Sequence, residues 1–187
     1  GYMDFDVQGR INARKIVGTA ATVLEGSTYD PHLPDLAFDA IDESPEGSVI
    51  VIGTGGEKNV AVWGELMNMG ATVNGHEGVV VDGGARDVEL IRRDTDFPVY
   101  ARSIVPASSV GRLKTIARDI PVEVGGVLVS PGDYIVGDDD GIVSIPAEHV
   151  EAIINFAEEA EATEEEMVLY IKEVGSIRAA TKKFGRA

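Results

Sequence analysis

The chain has 187 residues, 44% hydrophobic and 26% charged, which is enough for one domain with a substantial core and fits neither disorder nor a fibrous class. A formal net charge of −16 excludes nucleic-acid backbones and anionic membrane surfaces as partners, because either would be repelled. The absence of cysteine removes disulfides, thiolate metal ligands and a cysteine nucleophile, and it suits a cytoplasmic setting.

No apolar run approaches the roughly 18–20 residues that cross a bilayer, and no basic segment followed by an apolar stretch marks a signal peptide. The sequence opens at Gly1 with its first Met at position 3, so it reads as an excerpt from a longer chain. In chain order, the β-branched run Val17 to Leu24 predicts a strand, and the apolar spacing of Leu33, Leu36, Ala37 and Ile41 predicts a short helix. Ser48 to Gly53 is continuously apolar, as a buried strand would be, and the loop Thr54-Gly55-Gly56-Glu57 follows. Helical spacing through Val62, Leu66, Met69 and Val73 predicts a helix from about Gly64 to Asn74. Gly78 to Asp82 predicts a second buried strand that ends in a turn at Gly83-Gly84, with a short helix starting near Asp87.

Strand and helix alternating in this way imply parallel strands with covering helices. Beyond Phe97 the texture changes to short strands: Val99 to Arg102, Val122 to Val124, Val127 to Val129, Tyr134 to Val136 and Ile142 to Ile145. That half is expected to be antiparallel or mixed. Ala147 to about Lys183 reads as helix, heavily acidic, with a break at Gly175.

Three places could carry chemistry. Gly64-Glu65-Leu66-Met67 stands at a predicted helix N-terminus, whose free N–H groups suit a carboxylate, and Gly64 lets a ligand approach closely. Glu65 also reads as an ordinary first-turn acid that complements the helix dipole. Asp82-Gly83-Gly84-Ala85-Arg86-Asp87 follows a buried strand, and ligands of open α/β sheets collect beyond such strand ends. There Arg86 offers a cationic fork for a 2-oxo acid and Asp87 a hard oxygen for Mg²⁺ or Mn²⁺. The ordinary alternative makes Asp87 a helix N-cap and Arg86 a solvated turn residue. Glu164, finally, falls on the apolar stripe Val150, Ala157 and Ile171 of the last long helix, where a carboxylate needs a cation or donors. A helix break with Thr163 as N-cap and Glu166 as its capping-box partner would instead turn Glu164 to solvent.

Other features carry less. The loop at Thr54 to Lys58 lacks phosphate-loop spacing, and Asp138-Asp139-Asp140-Gly141 is out of calcium-loop register and reads as a solvated turn. His32, His76 and His149 are too scattered for a histidine metal cage. Ser108-Ser109 has no nucleophile-elbow context.

Taken together these segments resemble the RraA-like family, which includes class II 4-hydroxy-4-methyl-2-oxoglutarate aldolases that also decarboxylate oxaloacetate. The resemblance is carried by Gly64-Glu65-Leu66, the 20 residues between Glu65 and Arg86-Asp87, and Pro98-Val99-Tyr100-Ala101-Arg102. It continues through Pro131-Gly132-Asp133, Asp138-Asp139-Asp140-Gly141 and Pro146, and it spans roughly Ile16 to Glu166.

The resemblance implies a β/β/α swivelling-type single domain of the α/β class, with a C-terminal helical arm from about residue 147. It implies a homotrimer or a hexamer of two trimers, with active sites between subunits. It further implies a divalent-metal-dependent lyase that cleaves or decarboxylates a small 2-oxo acid through a pyruvate enolate. Asp87 would ligate Mg²⁺ or Mn²⁺ directly, Glu65 would act through water, and Arg86 would contact the keto oxygen. The amides around Leu66 and Met67 would hold the substrate carboxylate beside Gly64. Ungapped counting from the Asp138-Asp139-Asp140-Gly141 block puts the family's C-terminal glutamate, which acts through water from a neighbouring subunit, at Glu164.

Family members carry an N-terminal helical segment before the first strand, and little precedes it here, so that segment is expected to be missing from this chain. Glu65 also stands where many members have Asp. Members that bind and inhibit a ribonuclease lack an aspartate after the arginine, so a non-catalytic regulator is the alternative, and Asp87 favours the enzyme. A second alternative is a lysine-dependent aldolase using Lys58.

Overall fold

The computed structural model describes residues 1–185. The chain divides into two compact units, residues 1–147 and the segment from Glu148 onward. In the first unit, Gln8–Ile11 (β1) and Ile16–Ser27 (β2) precede Asp35–Glu43 (α1) and Val49–Gly53 (β3). Ala61–Trp63 (β4), Glu65–Val73 (α2), Gly78–Ala85 (β5), Val88–Asp94 (α3) and Val99–Ile104 (β6) follow. Leu113–Arg118 (β7), Val122–Val124 (β8), Val127–Val129 (β9), Tyr134–Gly137 (β10) and Ile142–Ile145 (β11) complete it.

The nine-stranded sheet runs β1-β6-β5-β3-β2-β10-β11, with β4 paired to β5 and β7 paired to β2. Its centre, β6, β5, β3 and β2, is parallel, while β1, β7, β10 and β11 are antiparallel additions. The fold is of the mixed α/β class. Alternation along buried strands explains its layers. Ile50 and Ile52 of β3, with Val79 and Val81 of β5, enter one cluster with Ala37, Ala40 and Ile41 of α1, Ala71 of α2 and Ile91 of α3. Their alternate neighbours Val49, Val51 and Val80 enter a second cluster with Val122, Val124 and Val129 of the β8-β9 hairpin. Both faces of the central strands are therefore covered, which is why β3 and β5 read as continuous apolar runs.

In the second unit α4 spans Val150–Val174 and α5 spans Ile177–Phe184. They are separated at Gly175, which closes α4 in the left-handed region at φ 71°. No break occurs at Thr163. Its hydroxyl donates to the carbonyl of Glu159 at 2.9 Å, one turn back within an unbroken helix. Tyr170 and Phe184 meet edge to face at 5.8 Å and join the two helices. No helix among the described residues is long and apolar enough to cross a membrane.

The turn expected at Gly83-Gly84 is a correction. Both glycines lie inside β5, because β4 pairs with β5 just beyond the end of β3. A Cβ at Gly84 would stand 2.6 Å from Val105 Cγ2 and 2.9 Å from the Val60 carbonyl, so this glycine is there for close packing within a strand.

Candidate active site

Strands β4 and β5 run parallel and end level with each other. Trp63 pairs with Ala85, and the Arg86 amide donates to the Trp63 carbonyl at 2.9 Å. Each strand then passes directly into a helix, α2 after Gly64 and α3 after Asp87. Two helix N-termini and the pair Arg86-Asp87 are thereby brought to one edge, at the carboxyl ends of parallel strands.

Asp87 occupies the N-cap position of α3, as the ordinary reading of the sequence has it, yet its side chain makes no capping bond there. It sits instead in the left-handed region at φ 61°, a conformation that costs an L residue about 1–2 kcal/mol and that Asp tolerates better than most. Its Oδ2 accepts from the Glu65 amide at 3.1 Å, so Asp87 caps α2, the neighbouring helix. Arg86 Nη1 donates to Asp87 Oδ1 at 3.1 Å, and the same nitrogen lies 3.1 Å from Oδ2. The pair is partly open, with side chains 42% and 23% exposed.

Gly64 makes this approach possible. A Cβ there would lie 2.7 Å from Asp87 Oδ2 and 3.2 Å from Arg86 Nε. Beyond the Glu65 amide, those of Leu66 and Met67 belong to the first turn and have no intrahelical acceptor. Behind the site, buried Trp63 stacks on Phe97 at 6.1 Å and donates from Nε1 to Asn68 Oδ1 at 3.1 Å. Asn68 Nδ2 in turn donates to Thr95 Oγ1 at 2.8 Å. This relay ties the first turns of α2 to the end of α3.

In front lies a cleft of about 190 Å³ bounded by Gly64, Leu66, Met67 and Arg86, by Leu33, Pro34 and Phe38 around the start of α1, and by Ser108, Ser109 and Val110. Arg86 also borders an adjoining hollow with Asp87, Val88 and Ile104 to Pro106, so the arginine stands between the two. Among the described residues no group of three or more His, Asp or Glu is gathered closely enough to hold a metal by itself. The partly open Asp87 carboxylate nonetheless fits Mg²⁺ or Mn²⁺, since such ions take one or two protein carboxylates and keep several waters, while Glu65 meets it through its backbone amide.

Of the residues singled out in the sequence, Gly64, Glu65, Leu66, Met67, Arg86 and Asp87 are brought together at this edge. Glu164 lies at an exposed position of α4, in the second unit. Lys58 does not border the cleft; its Nζ is 2.5 Å from Asp6 Oδ2. Asp82, the first residue of the second motif, is committed elsewhere. It accepts from Arg102 Nε at 2.8 Å, from the Gly125 amide at 3.0 Å and from the Gly56 amide at 2.6 Å. Arg102 also pairs with Asp4 and Asp6, a network that ties the N-terminal segment to the sheet and that no motif announced.

Sequence reasoning also missed Glu25. It is 3% exposed in β2, neither carboxylate oxygen has a hydrogen-bond partner, and burial pushes its carboxyl up to about 7. Only the unexpected length of β2, which runs on to Ser27, puts it inside.

The model of the family described as RraA-like, Aldolase/RraA, matches residues 3–144. Protein DlpA of Legionella pneumophila is 34% identical over 176 residues, covering 91% of this chain but only 28% of its own length, so the chain spans about a quarter of that relative. A protein of Halalkalibacterium halodurans that bears the provisional name 4-hydroxy-4-methyl-2-oxoglutarate aldolase is 33% identical over 174 residues, covering 90% of this chain and 78% of that one. Among solved structures, Streptomyces coelicolor RraAS2, described as an unusual member of the RNase ES inhibitor RraA protein family, superimposes with a TM-score of 0.77 at 29% identity. That match covers 88% of this chain and 82% of RraAS2.

Proposed function

Because this chain belongs to the RraA-like family, Aldolase/RraA, we propose that it is a divalent-metal-dependent lyase that cleaves or decarboxylates a small 2-oxo acid and releases pyruvate. The observation that carries the reading is the meeting of Gly64, Arg86 and Asp87, with the Glu65 amide and the Arg86 guanidinium both on the Asp87 carboxylate. The name borne by the Halalkalibacterium halodurans relative points the same way.

In this reading Asp87 is the direct ligand of Mg²⁺ or Mn²⁺, and Glu65 and the Glu164 of a second copy act through water. When bound, the ion supplies Lewis-acid stabilisation of negative charge on the keto oxygen. The protein's own groups do the rest. The free amides of Leu66 and Met67, at the positive end of α2, hold the substrate carboxylate. Arg86, held in orientation by Asp87, faces the keto oxygen as electrons from the breaking bond reach it. A fixed donor at that point is worth on the order of 10²–10³-fold in rate. The Glu65 amide and the contact with Gly64 keep the Asp87 carboxylate from turning away. Local positive charge of this kind is needed for an anionic substrate on a molecule of net charge −16.

The similarity to RraAS2 favours a second reading, a non-catalytic regulator that binds a ribonuclease. Asp87 favours the lyase, since the ribonuclease-binding members that the sequence resembles lack an aspartate after the arginine. Lys58, paired with Asp6 and away from the cleft, gives little support to a Schiff-base aldolase. Pyruvate release from oxaloacetate and from 4-hydroxy-4-methyl-2-oxoglutarate, with and without EDTA, tests the proposal. Release abolished by EDTA supports the lyase. Release that survives EDTA, or none under any metal, ends it.

A further inference from the structure

The pair Ser108-Ser109, to which the sequence assigned no role, borders the cleft together with Gly64 and Arg86. β4 explains its placement. Along one edge Ala61 pairs with Gly84 of β5, and along the other it forms a parallel bridge with Ser108. The Ala61 amide donates to the Ala107 carbonyl at 2.7 Å, so residues 107 and 108 run beside β4 toward the cleft. The segment is pinned from its other end as well. The Ser109 carbonyl accepts from the amides of Arg112 and Leu113, both at 2.8 Å, and Arg112 Nη1 donates to the Ser108 carbonyl at 3.0 Å. Arg86 and Ser109 therefore reach the cleft from opposite flanks of one strand, their backbones about 10 Å apart, which is two strand spacings.

What this frame leaves unused is the Ser109 side chain. The residue is only 9% exposed, yet among the described residues its hydroxyl has no hydrogen-bond partner. The buried hydroxyls of Thr22, Ser48 and Thr54, by contrast, donate to backbone carbonyls at 2.7, 2.7 and 2.9 Å. Nor is the Ser109 hydroxyl sealed off as the Glu25 carboxylate is; the cleft is the opening that it borders. A ligand that filled the cleft without bonding this hydroxyl would strand it, so the site selects for one that carries a partner there. The hydroxyl is neutral and can both donate and accept. That suits an uncharged oxygen better than a carboxylate, whose strong partners are cations. In a 4-hydroxy-2-oxo acid whose keto group meets Arg86, the C4 hydroxyl is the next uncharged oxygen along the chain.

We propose that the Ser109 hydroxyl is a substrate-binding group that hydrogen-bonds the C4 hydroxyl of a 4-hydroxy-2-oxo acid, and so favours aldol cleavage over decarboxylation. This deepens the lyase reading and rests on it. The step balances without an oxidant or reductant. The C3–C4 bond breaks, its electron pair becomes the enolate of pyruvate, and the C4 hydroxyl loses its proton to solvent as C4 becomes a carbonyl carbon. A proton from solvent then converts the enolate to pyruvate. Ser109 exchanges neither proton nor electron. It holds the C4 oxygen so that the breaking bond stays aligned with the keto group at Arg86.

The test uses the full chain with Mn²⁺. It compares kcat/KM for pyruvate release from 4-hydroxy-4-methyl-2-oxoglutarate with that from oxaloacetate, which has no C4 hydroxyl. Ser109→Ala is expected to lower the ratio of the two by about 10-fold, a change of selectivity that a merely structural defect would not produce. Ser109→Thr keeps the hydroxyl and is expected to hold the wild-type ratio, whatever happens to the two rates. Unfolding midpoint and oligomeric mass are measured for each variant, and both are expected to match wild type. An unchanged ratio in Ser109→Ala, or a Ser109→Thr ratio that shifts as far, overturns the assignment and leaves the lyase reading standing. So does a changed mass, which would place the hydroxyl in a contact with a second copy. Wild type that decarboxylates oxaloacetate without cleaving 4-hydroxy-4-methyl-2-oxoglutarate likewise overturns the assignment alone. Absence of pyruvate release from both substrates overturns the two together.

Discussion

Gly64 and Asp87, 23 positions apart in sequence, are so close that a single added methyl group would collide: a Cβ at position 64 falls 2.7 Å from Asp87 Oδ2. Gly64 has φ −154°, an extended conformation open to any residue, so the collision alone explains the glycine. Gly64→Ala is therefore expected to fold with a stability loss of about 1 kcal/mol or less and to lose about 10²-fold in kcat/KM by displacing the carboxylate. Thermal unfolding and pyruvate-release kinetics check the two halves separately.

Arg86→Lys keeps the charge and discards the fork. Lysine cannot span both Asp87 and a keto oxygen with fixed geometry, so a fall in kcat/KM on the order of 10²-fold is expected. Arg86→Ala should fall further. Kinetics at saturating metal separate this effect from weakened metal binding.

The relay Trp63, Asn68 and Thr95 sits behind the site and reaches it only through the placement of α2. Asn68→Ala strands the buried Trp63 N–H without an acceptor, a loss of about 1–3 kcal/mol. Denaturant unfolding measures that loss, and kcat is expected to drop as the first turn of α2 loosens. A substitution of this kind that unfolds the protein no more easily than wild type would contradict the relay.

Glu25 gives the protein a pH dependence of unusual sign. Its carboxyl is raised from 4.5 to about 7 by burial, so between those values the native chain keeps a proton that the unfolded chain gives up. Stability from this group is therefore full below about pH 4.5, declines as pH rises, and levels off above about 7. The difference amounts to about 3 kcal/mol. Glu25→Gln should remove this component, which is read as the wild-type-minus-variant difference in unfolding free energy across that range. A difference that stays flat with pH would show that Glu25 is not desolvated.

Much of the architecture could be read from residue pattern because its central strands are buried on both faces. Val49 to Gly53 and Gly78 to Asp82 announce themselves as apolar runs, and Gly64 and Gly175 punctuate the helices where expected. Two of the antiparallel additions were silent, whereas the edge strand β11 was read as Ile142 to Ile145. β1, Gln-Gly-Arg-Ile, is too polar to signal a strand, and in β7 the outward Ile116 blurs the alternation of Leu113, Thr115 and Ala117. Gly83-Gly84 misled because the same dipeptide that makes turns also permits tight strand packing. At the site, Arg86-Asp87 and Gly64-Glu65 were visible as motifs, while the bond from the Glu65 amide to Asp87 was not, since it depends on β4 and β5 ending level. Glu25 could not be found at all. A glutamate after Val23-Leu24 reads as the end of a strand, and only the pairing of β2 with β7 draws it inward.

The most direct test of the account is the rate of pyruvate release from oxaloacetate by Asp87→Ala and by wild type at matched Mn²⁺ concentration. A loss of about 10³-fold or more, with α-helical content and unfolding midpoint preserved, is the result expected of a residue that both holds the metal and orients Arg86. Wild-type turnover by the Asp87→Ala protein would contradict it.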